Sequence, residues 1–325
     1  MAVGIVAPLV TIITPAYNRA AYLEETIQSV LTQDYPHIEY IVLDDGSTDH
    51  TRQVLESYTG RLFWESHPNM GETRTVNKGW RMARGEIIAV VNSDDPLLPG
   101  AVRAAVEFMN ARPDILVAYP DWDKIGPRGE VLSRVQVPEY DYVYMLTCHH
   151  CIVGPGAFIR RKALDLAGFR DEEFRYVADF EYWLRLGLHG SFARIPKALA
   201  TFRVHPDSAS ASHTGRRMAA EHIRLVQKFY ALPNLPPEIW QARAAAYSWA
   251  HYVASEMCGR DVWLARWHFL RSVLYRPGLY WGAYAYKWAH AVPLVSPRLA
   301  RVVRAGWRLT RPFMVRMNAL LTSRR

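Results

Sequence analysis

Short apolar runs recur along the first two thirds of the chain, and each one stops at a polar turn. Residues 9–14 (LVTIIT), 38–43 (IEYIVL) and 62–65 (LFWE) are rich in branched and aromatic side chains, the composition of a pleated, mostly buried surface. Between them, Tyr22, Ile27, Val30 and Leu31 recur at helical spacing within 20–32, and 49–58 reads as a second helix. Residues 87–91 (IIAVV) run into Asn92-Ser93-Asp94-Asp95-Pro96, after which a helix is predicted over 99–109. Strand, helix and strand alternating in units this short imply βαβ crossovers, a right-handed parallel sheet and helices on both faces. Further strands are predicted at 115–119 and 152–160, a hairpin turn at 125–131 around Pro127 and Gly129, and a helix at 178–186 with Phe180, Trp183, Leu184 and Leu188 on its apolar side.

From residue 215 the pattern changes to helix throughout. A helix over 217–230, a proline-rich connector at 232–238 and a helical hairpin over 239–258 and 261–275, broken at Gly259, are predicted. Alanines at 242, 246, 250 and 254 permit close helix packing. Residues 278–296 are aromatic and almost uncharged, interrupted by Lys287, His290 and Pro293; Arg298, Arg301, Arg304, Arg308 and Arg311 then recur three or four apart with no acidic residue. A helix of this kind fits a membrane interface, with arginines toward headgroups and Trp307, Leu309 and Phe313 toward acyl chains, and fits nearly as well a solvated basic face packed on the body. The chain therefore divides into a 1–214 α/β part and a 215–325 basic, aromatic helical part.

Charge sharpens that division. The net +8 hides a balance of 21 Lys and Arg against 27 Asp and Glu in residues 1–214, and of 18 against 4 in 215–325. An acidic body with a basic tail region points to an anionic surface partner for the tail. No nucleic-acid motif accompanies the charge, so a membrane surface is the expected partner and nucleic acid is not. Three cysteines form no disulfide framework, which places the chain in a reducing, cytoplasmic setting, peripheral on the inner membrane face if the tail meets lipid. No window holds 18 uncharged apolar residues, so no spanning helix is expected, and the N-terminus lacks the basic region of a signal peptide.

The candidate chemistry sits at the strand ends. In a parallel sheet the carboxyl ends share one edge, where ligands bind, and here they carry Tyr17 with Asn18, Asp44 with Asp45, and Asp94 with Asp95. Aspartate oxygens suit a hard cation carrying phosphates. The alternatives are turn chemistry for Asp44-Asp45-Gly46 and a helix cap for Asp94 or Asp95. Glycine-rich dinucleotide and P-loop fingerprints are absent. Cys148-His149-His150-Cys151 offers four ligands in a row, yet structural zinc draws pairs from separated stretches, so a loop beside an acceptor pocket is expected.

Residues 13–49 (ITPAYNR to DDGSTD), 67–99 (HPNMGETRTVNKGW to NSDDPLLP) and 177–186 (VADFEYWLRL) resemble the inverting family 2 glycosyltransferases of GT-A fold, over roughly residues 8–212. The resemblance implies a Rossmann-like, mostly parallel sheet flanked by helices, ahead of the helical C-terminal region. It implies a donor site in which Pro15, Tyr17 and Asn18 hold the nucleotide, Asp44 and Asp45 accept hydrogen bonds from base and ribose, Arg74 and Asn77 meet diphosphate and ribose, and Asn92 and Ser93 complete the pocket. A carboxylate on an imide N–H favours a uracil or thymine ring, hence a UDP- or dTDP-sugar. Asp94, Asp95 and His205 are the implied ligands of Mg²⁺ or Mn²⁺, and Asp179 the implied catalytic base. Asn92 stands where the family carries an aspartate and Ala178 where it carries a glutamate. The implied reaction moves a sugar from a nucleoside-diphosphate donor to a carbohydrate or lipid-linked hydroxyl, in cell-surface polysaccharide or glycolipid synthesis. Alternatives are a catalytically inactive sugar-nucleotide sensor or scaffold, which the two departures favour, and a nucleotidyltransferase of related topology. Residues 207–214, a Ser/Ala/His run, read as a lid ordered by donor.

Overall fold

The computed structural model describes residues 7–206, 215–258 and 261–276. The aromatic stretch 278–296, the arginine-lined helix expected over 296–325, the lid over 207–214 and the break at Gly259 lie outside the described residues.

The alternating runs fold as strands and helices in the expected order. The elements are β1 (Val10–Ala16), α1 (Ala20–Leu31), β2 (Ile38–Asp44), α2 (Thr51–Glu56), β3 (Phe63–Ser66), α3 (Glu72–Met82), β4 (Ile87–Val90), α4 (Ala101–Asn110), β5 (Val117–Ile125), β6 (Val131–Val135), α5 (Tyr142–Thr147), β7 (Phe158–Arg160), α6 (Lys162–Ala167), α7 (Ala178–Leu186) and β8 (Phe192–Arg203). The sheet runs β3-β2-β1-β4-β7-β5-β6, with β8 added on β5. β3, β2, β1 and β4 are mutually parallel, β7 is antiparallel to β4 and to β5, and β8 is parallel to β5. This is the mostly parallel, helix-flanked sheet that the resemblance implies. β1 is buried over its whole length, and Val10 and Ile12 with Leu23 and Ile27 of α1 and Val102 and Val106 of α4 belong to one core cluster. Buried on both faces, such strands read as continuous apolar runs.

Three elements depart from expectation. β5 continues six residues beyond the predicted strand, because β8 pairs along it from Val117↔Phe192 to Ile125↔Arg203. Residues 192–203 carry Pro196 and Lys197, which break the alternation that would have marked them as a strand, and the register shifts opposite Asp121, where Pro196 and Lys197 of β8 have no partner on β5. In 152–160 only Phe158–Arg160 pairs; Gly154, Pro155 and Gly156 keep the preceding residues irregular.

Clustering of the chain gives two compact units, Met1–Met145 with Cys151–Ser212, and Leu146–His150 with His213–Arg325. The second unit contains α8 (Arg216–Phe229), α9 (Pro237–Gln241), α10 (Arg243–Met257) and α11 (Val262–Tyr275). Alanines 246, 250 and 254 are all buried, as close packing requires. Two histidine pairs are buried in this unit: His149 Nε2 lies 2.8 Å from His222 Nδ1, and His251 Nδ1 lies 2.9 Å from His268 Nδ1. Burial drives both His222 and His251 down to about 4, with His268 and Arg271 adding for His251. Each stays neutral when folded but takes a proton near the ordinary 6.5 when unfolded. The unfolded chain thus binds more protons, and stability is lost as pH falls from about 6.5 to about 4, by on the order of 1–3 kcal/mol per histidine. The thermal midpoint is expected to drop between pH 7 and pH 5, and to drop less in a His222→Gln, His251→Gln double variant.

Candidate active site

The carboxyl ends of β1, β2 and β4 lie side by side, so three loops meet on one edge. Asn18 adopts φ 51°, a left-handed conformation that asparagine tolerates. It ties two loops together: its N–H donates to Ser47 Oγ (2.9 Å), and its Oδ1 accepts from Thr48 N–H (2.8 Å). Asp44 accepts from Ser47 N–H (3.0 Å) and from the Ser66 hydroxyl (2.7 Å), and Asp45 accepts from Met70 N–H (2.7 Å) and Gly71 N–H (2.9 Å). Both carboxylates are buried. The turn alternative describes the bonds they make: they shape the loops at this edge from within. Gly46, at φ +73°, belongs to this turn, and a Cβ there would come within 2.7 Å of Asn69 N. Pro15 closes β1, and the Tyr17 ring, 46% exposed, is the open aromatic surface at this edge.

After β4 the two adjacent aspartates face different surroundings. Asp94 Oδ2 accepts from Arg19 Nε (3.0 Å) and lies 3.0 Å from His205 Nε2. Asp95 is turned inward: Oδ1 accepts from Arg203 N–H (2.7 Å) and Oδ2 from Asn92 Nδ2 (3.0 Å). Its pKa is raised by burial and then by the charge of Asp94. Of the three expected metal ligands, Asp94 and His205 therefore come together and Asp95 does not, because both its oxygens are committed to the chain. Asn92 is committed with it, and Ser93 is buried beside them. Neither aspartate caps α4, whose N-cap is Gly100. Among the described residues no group of three or more His, Cys, Asp and Glu is assembled as a cage. One carboxylate and one imidazole fit Mn²⁺ or Mg²⁺ that takes its remaining ligands from water and phosphate oxygens.

The arrangement is pinned by Arg203, the last residue of β8 and 1% exposed. Its Nε donates to Asp94 O (2.9 Å), Nη1 to Gly126 O (3.2 Å) and Nη2 to Glu25 Oε2 (2.5 Å). Tyr22 of α1 lies under it, with the guanidinium 5.0 Å from the ring centre, and packs on His205 at 4.6 Å between centroids.

A cavity of about 350 Å³ opens inside the first unit, lined by Asn92 and Asp95, by Glu72 and Trp80 of α3, by Arg170, and by Asp179 and Trp183 of α7. Asp179 and Trp183 are four apart and so share a helix face. The cap of α7 is Val177, so Asp179 is not the N-cap; it lies in the first turn, is exposed, and accepts from Phe180 N–H (2.7 Å). Cys151, from the four-ligand run, also lines the cavity, while His149 pairs with His222.

α3 sets where α7 begins. Asn77 Oδ1 accepts from Arg170 N–H (3.0 Å), its Nδ2 donates to Arg170 O (2.9 Å), and the Thr73 hydroxyl donates to Phe174 O (2.8 Å). Arg74 pairs with Glu172 at 3.1 Å. Asn77 and Arg74, expected to meet diphosphate and ribose, both hold the 170–174 segment in this structure: the Asn77 amide bonds the Arg170 backbone and the Arg74 guanidinium pairs with the Glu172 carboxylate. Two cavity residues, Glu72 and Arg170, had no motif to mark them. The Arg170 guanidinium lies 5.5 Å from the Trp80 ring centre and 3.8 Å from Glu72. Desolvation raises the Glu72 pKa, with Asp179 and Asp94 adding and Arg170 and Arg19 opposing, so this carboxyl senses both Asp179 and Asp94. Trp80 Nε1 and Arg170 Nε are buried and have no partner within the described chain.

The sheet thus brings carboxylates and a cavity lined by Glu72, Asp95 and Asp179 to its carboxyl edge, where open α/β sheets bind their ligands. Residues 11–166 match the glycosyl transferase family 2 model. TuaG of Bacillus subtilis, named for a glycosyltransferase role in teichuronic acid biosynthesis, is 39% identical over 215 residues, covering 63% of this chain and 82% of TuaG. The chain belongs to glycosyltransferase family 2. Two solved structures share its fold at 18% identity: S. aureus TarS 1–349 in complex with UDP-GlcNAc (TM-score 0.64, 93% of this chain and 92% of that one), and the mannosyltransferase PcManGT from Pyrobaculum calidifontis in complex with GDP-Man and Mn²⁺ (TM-score 0.57, 96% and 86%). Against a longer TarS chain, this one spans 54% of the length.

Proposed function

We propose that this glycosyltransferase is inverting and metal-dependent, and moves a sugar from a UDP- or dTDP-type donor to a hydroxyl of a carbohydrate or lipid-linked acceptor in cell-surface polysaccharide or glycolipid synthesis. The observation that carries the reading is the placement of Asp179 in one cavity with Asn92 and Asp95, residues that lie more than eighty positions earlier in the chain. The donor lies along the β1, β2 and β4 edge, its base against Tyr17. Asp94 and His205 would hold Mg²⁺ or Mn²⁺, which supplies Lewis-acid stabilisation of the departing diphosphate. Arg19, on Asp94, is placed for the same phosphates.

In the transfer, the acceptor oxygen bonds to the anomeric carbon, the bond from that carbon to the diphosphate oxygen breaks, and the nucleoside diphosphate leaves with the electron pair. Asp179 takes the hydroxyl proton, which becomes acidic only as the new bond forms, so a positioned carboxylate suffices. Attack opposite the leaving group inverts the configuration. Trp80 and Arg170 line the cavity, and their buried ring and guanidinium N–H groups, without a partner among the described residues, are proposed as donors for sugar hydroxyls. The basic residues of 215–325 are proposed to meet an anionic membrane surface from the cytoplasmic side.

A panel of UDP, dTDP and GDP with and without Mn²⁺, read by thermal shift and followed by labelled UDP-sugars, tests the reading. Binding raises the midpoint by mass action, worth about 2.7 kcal/mol at a ligand concentration a hundred times its Kd. Binding without turnover or donor hydrolysis would favour the inactive sensor instead.

A further inference from the structure

Helix α11 buries one face and leaves the opposite one open. Ala265, His268, Phe269 and Ser272 are buried, and Ser248 of α10 donates to Ser272 O at 2.8 Å. At about 100° per residue, Trp263, Trp267, Leu270 and Leu274 fall within roughly a 60° arc on the other side. They are 78%, 46%, 56% and 64% exposed. Arg266 and Arg271 flank this stripe on either side, with guanidiniums 5.3 Å from the Trp263 ring centre and 5.0 Å from that of Trp267. Soluble chains seldom leave four large apolar side chains contiguous in water.

We propose that this face docks on an anionic lipid bilayer, the helix lying in the headgroup plane with its indoles at the acyl boundary and its arginines on lipid phosphates. The proposal rests on the membrane clause of the function above and is independent of its donor chemistry. Indole rings favour the water–hydrocarbon boundary, and arginine stems cover apolar surface while the charge stays wet. At 14 residues α11 is about 21 Å long, too short to cross the roughly 30 Å hydrocarbon layer, and no described helix is long and apolar enough to span it. Charge selects lipid over two other occupants. The chain beyond residue 276 holds nine Lys and Arg and no acid, so laying it on an arginine-flanked stripe opposes like charges. A second copy, face to face, would do the same with Arg266 and Arg271. Anionic headgroups reverse the sign, and the basic chain beyond adds to the attraction.

The full chain is floated with vesicles of phosphatidylcholine alone or mixed with phosphatidylglycerol. Wild type is expected to float with the mixed vesicles and to shift its tryptophan emission to the blue. A Trp263→Ser, Trp267→Ser, Leu270→Ser, Leu274→Ser variant is expected to partition about tenfold less or weaker still, with UDP binding unchanged as the check that it folds. Should that variant misfold, Arg266→Gln with Arg271→Gln is expected to weaken binding to the mixed vesicles alone. Failure of wild type to float, equal flotation of a folded quadruple variant, or a wild-type dimer that the variant dissolves without any lipid binding would each overturn the proposal. Absence of UDP binding in wild type would instead count against the donor reading and leave the flotation result standing.

Discussion

Asp179→Asn is expected to lower the rate of transfer by about 10²–10⁴ while nucleoside diphosphate affinity stays within about threefold of wild type. The amide has the shape of the carboxylate and still accepts from the Phe180 N–H, so the exposed first turn of α7 has no reason to shift. What is lost is the ability to take the hydroxyl proton as the bond to the anomeric carbon forms. The proposed donor edge is built by other elements, the loops after β1, β2 and β4, so binding is expected to survive. Steady-state rates alongside titration of UDP separate the two terms; a variant within tenfold of the wild-type rate would assign the base elsewhere, with Glu72 the next carboxyl in the same cavity.

Arg203→Ala is expected to cost about 3–5 kcal/mol of stability, the range for removing one member of a buried charged network. The substitution leaves Asp94 O and Gly126 O without their donor and Glu25 without its cation. At roughly 2–4 °C per kcal/mol for a unit of this size, the thermal midpoint should fall by about 10 °C. Arg203→Lys keeps the charge but not the planar fork, and should recover only part of the loss. Any of the variant that remains folded should also bind metal and nucleotide less well, since Arg203 holds the backbone of Asp94. Thermal melts with and without UDP and Mn²⁺ read both effects.

The parallel half of the fold was legible because β1, β2 and β4 are buried on both faces and their apolar runs end at turn residues. β8 was not, since Pro196 and Lys197 interrupt its pattern and its length follows from pairing with β5, a partner about 75 positions away. The site was legible in the same measure. That Asp94 and Asp95 end a strand can be read from IIAVVNSDDP; which of them faces outward depends on Arg203, more than a hundred residues on. The motif around Arg74 and Asn77 could not reveal that residues 170–172 would come to lie against them. Glu72 and Arg170 carried no motif, and only the folded chain shows a carboxyl at Glu72 lining the same cavity as Asp179, the residue that follows Ala178 where the family has its glutamate.

Asp94, next in the chain to the cavity residue Asp95, is proposed to carry the metal through which the donor's diphosphate is held. Titrating UDP into wild type and Asp94→Ala, each with and without Mn²⁺, tests it most directly. Mn²⁺ should tighten UDP binding to wild type by about tenfold or more and leave Asp94→Ala unchanged. Equal, metal-independent affinity in both proteins would contradict it.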